Sequence, residues 1–137
     1  MTAHLDVPLD IVERVRSICL VLPEAYEETA WIGARWRVRK GTFAHVLMID
    51  SGRPAAYARA ARSEGPLCIL TFQSSGSELE RLRAVGHPYF GPVWRPGIIG
   101  MAIATDTGWE EVGELLTESY CTLAPKALLK LVVRPTR

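Results

Sequence analysis

The run Ala34-Arg35-Trp36-Arg37-Val38-Arg39-Lys40-Gly41-Thr42-Phe43 alternates with a period of two. In an extended strand successive side chains point to opposite faces, so Arg35, Arg37 and Arg39 fall on one side and Trp36 and Val38 on the other. Gly41 offers a turn into a second apolar run, Phe43 to Ile49. Together they predict a hairpin with one apolar face for a core and one basic face for solvent or an anionic partner. Alternate residues on a strand stand about 6.6 Å apart, close to twice the rise of about 3.4 Å per phosphate on one DNA strand. Three arginines in that register match a phosphate backbone.

Basic residues continue beyond the hairpin. Arg35, Arg37, Arg39, Lys40, Arg53, Arg59 and Arg62 lie between residues 35 and 62 with a single acid, Asp50. Residues 106 to 118 carry Asp106, Glu110, Glu111, Glu114 and Glu118 and no base. The net charge of +1 therefore conceals oppositely charged segments, and it excludes a wholesale polyanion binder of uniformly basic composition. Two readings of the basic strand stand side by side. Either the seven basic residues form a nucleic-acid-binding face, or the arginines pair with the glutamates of the acidic segments.

The 137 residues are read as one domain, 1–137, long enough to bury a core. Cys19, Cys68 and Cys121 are odd in number, widely spaced and set in apolar contexts, which predicts buried free thiols in a reducing compartment. There is no apolar run long enough for a membrane span and no signal-peptide core at the N-terminus, so a cytoplasmic protein is expected.

Residues 1 to 7 are read as a loose lead-in, with Asp6 or a neighbour capping a helix that tolerates Pro8 in its first turn. Ile11, Val15, Ile18 and Leu22 form its apolar stripe, and Pro23 ends it. A short strand is expected at Thr29 to Ile32, then strands at 34 to 40 and 42 to 49. Ala55 to Ser63 reads equally as a short helix or an irregular insertion. Leu67 to Phe72 is a strand, Glu78 to Val85 a short helix capped by Ser75 or Ser77 with Gly86 at its end, and Ile98 to Ala104 the last strand. Between them, His87 to Gly97 reads as a rigid loop, with Tyr89, Phe90 and Trp94 as anchors or as the wall of a ligand pocket. Thr107 with Glu110 has capping-box spacing ahead of a helix carrying Val112, Leu116, Tyr120 and Leu123 on one face, and Lys126 to Val133 closes the chain as a second helix. Trp31, Trp36 and Trp109 match the apolar phases and are expected in the core. Short links between strands predict an antiparallel sheet with helices on one face, a two-layer α+β fold.

Several segments taken together resemble the MmcQ/YjbR family of small bacterial proteins. They are Arg16 to Glu24 with its leucine-proline ending, Trp31, Arg37-Val38, Gly41-Thr42-Phe43-Ala44, and Asp106 to Leu128 with Trp109-Glu110-Glu111-Val112, Ser119-Tyr120 and Leu123-Ala124-Pro125-Lys126. The resemblance implies a curved antiparallel sheet of secretion-chaperone-like or frataxin-like shape, and DNA binding through wing-like hairpins, with no agreed enzymatic role. The chain departs from the family at Ile32-Gly33-Ala34, where a histidine is usual, and at Leu67-Cys68-Ile69-Leu70, where a lysine is common.

His4, His45 and His87 share no metal-ligand spacing with the cysteines or acids, so no metal and no cofactor is expected. No nucleophile elbow, phosphate loop or paired acidic motif occurs, and no enzyme is expected. DNA is the expected partner. The alternative is an interaction module for a peptide, a small molecule or a second copy of itself.

Overall fold

A computed structural model describes residues 4–134, so the expected lead-in lies partly outside the described residues. The elements, in chain order, are α1 (Leu9–Cys19), β1 (Tyr26–Thr29), β2 (Ala34–Val38), β3 (Gly41–Ile49), α2 (Ala55–Ala61), β4 (Leu67–Gln73), α3 (Gly76–Val85), β5 (Tyr89–Phe90), β6 (Ile98–Ala102), α4 (Trp109–Leu123) and α5 (Lys126–Leu129). The strands form one antiparallel sheet in the order β1-β2-β3-β4-β6-β5. The antiparallel α+β fold expected from the short links is observed, but the helices do not keep to one face. Helices α1 and α4 pack on one side of the sheet and α2 on the other, because β3 and β4 are apolar on both faces.

Alternation sorts the sheet residues onto two faces. Trp36, Val38, Val46, Met48, Cys68, Leu70, Phe72, Ile99 and Met101 are buried on the main core side, with Val15 and Cys19 of α1 and Val112, Leu115, Leu116 and Tyr120 of α4. Trp36 and Val38 are wholly buried, as the hairpin pattern requires. Each such side chain removed from water contributes about 1.5–3 kcal/mol, which is why the apolar phase of the strand dictates its orientation.

The register between β2 and β3 shifts at one point: Trp36 faces Ala44 and Arg37 faces Thr42, leaving Phe43 as an extra residue. A bulge of this kind re-aims one side chain without ending the pairing. It turns Phe43 to the helical side, where its ring meets Tyr120 edge-on at 5.4 Å. Ser119 of α4 is fully buried at the same point, donating to the Phe43 carbonyl at 2.6 Å and accepting from the Gln73 amide at 2.8 Å.

The opposite face is covered over only part of its area. There α2 lays Tyr57, Ala58 and Ala61 on Leu47, Ile49 and Ile69, joined by Val93 and half-buried Phe90 and Ile98. Residues 55–61 are therefore a helix, and a second, smaller core holds it.

Several expectations are corrected. The first strand is Tyr26–Thr29, and residues 30–33 form its turn instead. Trp31, placed by that turn, is 77% exposed and not in the core, while Trp109 is half-buried beneath the Arg14 guanidinium at 5.3 Å. Pro8 and Gly108, not Asp6 and Thr107, occupy the cap positions of α1 and α4. The Thr107 hydroxyl accepts instead from the Ala104 amide at 2.8 Å, closing the turn before the helix. Tyr89–Phe90 pairs with β6 as an edge strand inside the expected loop, and the closing helix ends at Leu129.

Candidate nucleic-acid interface

One row of residues crosses the partly covered face: Glu28, Arg35, His45, Thr71, Gly100 and Phe90 are successive cross-strand partners from β1 to β5. Phe90 lies over Gly100, where an added Cβ would come within 2.4 Å of its ring. His45 and Thr71 in the middle of this row are buried, and together with the neighbouring residues not covered by α2 they floor a cavity of about 510 Å³. Arg35, His45 and Thr71 lie on the floor with Thr42 and Gln73, and Trp31, Lys40, Tyr57, Trp94 and Arg95 stand around it.

Each wall has a local cause. Trp31 sits in the turn closed by the Ala30 amide on the Gly33 carbonyl at 3.2 Å. Gly33 has φ +71°, and a Cβ there would fall 1.9 Å from the Val46 carbonyl oxygen, so only glycine lets the β1–β2 turn lie this close to β3. Trp94 also has a left-handed backbone, φ +66°, uncommon for a bulky residue. Its loop is held by buried Val93, whose amide donates to the Ile98 carbonyl at 2.8 Å, and by the Arg95 amide on the Val93 carbonyl at 2.7 Å. The Trp94 ring meets Tyr57 edge-on at 5.7 Å, and Tyr57 meets His45 at 6.2 Å. The His45 ring is fixed through Nε2 on the Ile32 carbonyl at 2.8 Å. Burial holds this imidazole below its usual pKa, and the Arg35 charge acts in the same direction. Burial also raises the Tyr57 phenol.

The seven basic residues singled out in the sequence do not converge. Arg35 and Arg37 share a face, but both reach Glu28 of β1, through Arg35 Nε at 2.7 Å and Arg37 Nη1 at 3.4 Å. Arg37 Nη2 donates to the Lys40 carbonyl. Those contacts hold the Glu28 carboxyl below its usual pKa, with the Arg35 hydrogen bond the largest cause. Arg39 leaves the strand in a left-handed turn, φ +55°, and pairs with Glu24 at 3.0 Å. The arginine row is thus largely paired with the acidic connection that precedes it. Lys40 sits at the exposed hairpin turn without an ion pair among the described residues. Arg53 precedes α2, and exposed Arg59 and Arg62 line a separate shallow hollow of about 340 Å³ beside Glu64.

Of the three aromatic anchors, Tyr89 is buried toward the main core and donates to Glu111 Oε1 at 2.7 Å. Its phenol is pushed well above the usual range, by burial first and then by the Glu111 carboxylate. Only Trp94 reaches the cleft. Arg95, Tyr57, His45 and Trp31 complete it, and sequence reasoning assigned none of them there. The available signal was the adjacency of Trp94 and Arg95 in a segment rich in proline and glycine.

Two other cavities differ in character. One of about 590 Å³ between α3 and α4 is lined by Glu78, Glu111, Glu114 and Glu118 with Arg81 and Arg134, a set that disfavours anions. Another of about 860 Å³ beside β5 has Arg62, Arg83 and His87 but no exposed tryptophan. Of these three cavities, the sheet-face cleft is the one that combines cationic side chains with exposed indoles. No group of three or more His, Cys, Asp or Glu among them is arranged to hold a metal ion.

The YjbR family profile matches residues 20–122. In structure the chain is similar to the crystal structure of Deinococcus radiodurans protein DR2400, which has a DUF419 domain, at 19% identity. The match covers 88% of this chain and 86% of that one, with a TM-score of 0.63, and it supports the shared fold. No curated protein sequence matches the chain.

Proposed function

This chain belongs to the YjbR family, and from that premise we propose that it is a non-catalytic DNA-binding module whose contact surface is the sheet-face cleft. The observation that carries the reading is the meeting of Lys40 and Arg95, without ion pairs among the described residues, with exposed Trp31 and Trp94 around one cavity, whose lining also holds Arg35 in its pair with Glu28. Cations supply attraction to phosphate, and flat rings supply the sequence-tolerant part of nucleic-acid binding. The arginine row has a smaller part, because Glu24 and Glu28 already neutralise much of it. His45 supports a binding role over a reactive one, since its ring is locked on the Ile32 carbonyl and against Tyr57. The free thiols Cys19, Cys68 and Cys121 support a reducing setting, the bacterial cytoplasm, and no helix among the described residues is long and apolar enough to cross a membrane.

A labelled oligonucleotide titrated between low and physiological salt tests the reading. Two phosphate contacts, from Lys40 and Arg95, predict a slope of log K against log[salt] of about −1.4 to −1.8. Changing Lys40 and Arg95 together to Ala is expected to weaken binding and remove most of that slope, whereas Arg39→Ala changes little. A wild-type slope near zero, or no binding at low salt, removes DNA from consideration.

A second reading rests on a specific observation. Strand β1 is an outer strand of the sheet, so one side of its backbone is open to a peptide or a second copy. A homodimer formed there predicts a concentration-dependent mass in sedimentation that Glu28→Pro abolishes.

A further inference from the structure

We propose that the DNA held in this cleft is single-stranded, with bases stacked on the indoles of Trp31 and Trp94; the proposal rests on the DNA-binding reading of the same face. Trp36 is completely buried and Trp109 half-buried, yet Trp31 and Trp94 are 77% and 66% exposed and stand on the rim of one cavity. Leaving two large apolar rings in water is unfavourable unless something covers them, and a paired rim marks a binding surface.

The Trp94 ring and the backbone that carries Trp31 are both held in place. The Trp94 ring abuts Tyr57 at 5.7 Å and 82°, above a loop tied to Ile98 by Val93. Trp31 rides a turn that Gly33 presses against Val46. A ring already held, as Trp94 is, loses little freedom when a base arrives, so more of the stacking energy appears as affinity.

Shape separates a single strand from a duplex. The cavity of about 510 Å³ falls within the range of about 300–1,000 Å³ typical of small-molecule sites, large enough for a base but not for a duplex. In a duplex the base faces are stacked on one another and only their edges reach the grooves, so two rim indoles find no ring to cover. An unpaired strand presents every base face, and Lys40 and Arg95 are placed beside the rim to meet its phosphates. The ligand chemistry is a flat heteroaromatic ring joined to phosphate, which a free mononucleotide shares.

Fluorescence anisotropy with labelled twelve-residue oligothymidylate, the matching dT·dA duplex and free thymidine monophosphate as competitor separates the cases. The single strand is expected to bind at least tenfold tighter than the duplex and to quench tryptophan emission. Trp31→Ala and Trp94→Ala, both at exposed positions, are each expected to weaken it by roughly five- to hundredfold, with Trp94→Phe between the alanine variant and wild type. Circular dichroism establishes that each variant is folded. Duplex binding as tight as single-strand binding, or alanine variants that bind like wild type, overturns the stacking proposal and leaves the DNA-binding reading standing. Mononucleotide competing as well per molecule as the oligonucleotide overturns both in favour of a small-molecule site. Absence of binding to all three overturns both.

Discussion

His45 shows how a single residue acquires its properties from its neighbours. In sequence it lies in an apolar run, and in the fold it stands between Arg35 and Thr71 at the floor of the cleft. Burial depresses its pKa, so between the folded and unfolded values the unfolded chain holds more protons and stability falls as pH drops. Its contribution is complete above about pH 6.5 and is lost as pH falls through the folded value. Thermal unfolding at about pH 7.5 and about pH 5.5 is expected to show a drop in Tm that His45→Gln reduces, because glutamine still donates to the Ile32 carbonyl but takes no proton. Glu27 and Glu28, held below the usual carboxylate range by Arg16 and Arg35, lose their contribution only at lower pH, as it falls below about 4.5 toward their folded values. Parallel losses in wild type and variant over the upper window would assign the effect elsewhere. Trp31 carries the opposite lesson. Its identity argues for a core position, but its place in a turn exposes it.

Among the elements, α4 is tied to the sheet at the β3 bulge. Phe43 is the extra residue there, and the Ser119 hydroxyl satisfies two backbone groups, one on β3 and one on β4. Ser119→Ala leaves a buried carbonyl and a partly buried amide without the hydroxyl, and an unsatisfied buried group costs about 1–3 kcal/mol. A loss of about 2–4 kcal/mol is expected from the urea midpoint at unchanged m value. A loss below about 0.5 kcal/mol would mean that water replaces the hydroxyl. The serine-tyrosine pair was visible in the sequence as a helical feature, and Tyr120 does pack, donating also to the Pro23 carbonyl at 2.7 Å. Its neighbour's role was hidden, because a bulge is a property of two strands in register and leaves little mark on either alone. Short β5 escaped for a related reason. Two residues pair only because β6 lies beside them.

Across the whole molecule, one continuous sheet supports both cores, the larger under α1 and α4 and the smaller under α2. Neither core is complete without the shared strands, so unfolding is expected to be a single transition, with the change in tryptophan fluorescence as buried Trp36 becomes exposed coinciding with far-UV circular dichroism. Separate midpoints would show the α2 side opening first. The sheet also parts the charge, with Lys40 and Arg95 around the open cleft and Glu78, Glu111 and Glu118 around the cavity between α3 and α4. Local pattern was enough for the hairpin at 34–49, the inward face of Trp36 and Val38, the amphipathic helices and the α+β class, because burial imposes periods of 2 and 3.6 on the chain wherever a segment has one face to hide. Which cations stay unpaired was decided only in three dimensions. Pairing β1 against β2 sets Glu28 opposite Arg35 and within reach of Arg37, while the incomplete cover of α2 leaves Trp31, Trp94, Lys40 and Arg95 around a common opening. Charge pairing and exposure depend on distances between segments far apart in sequence, and the fold alone fixes those distances.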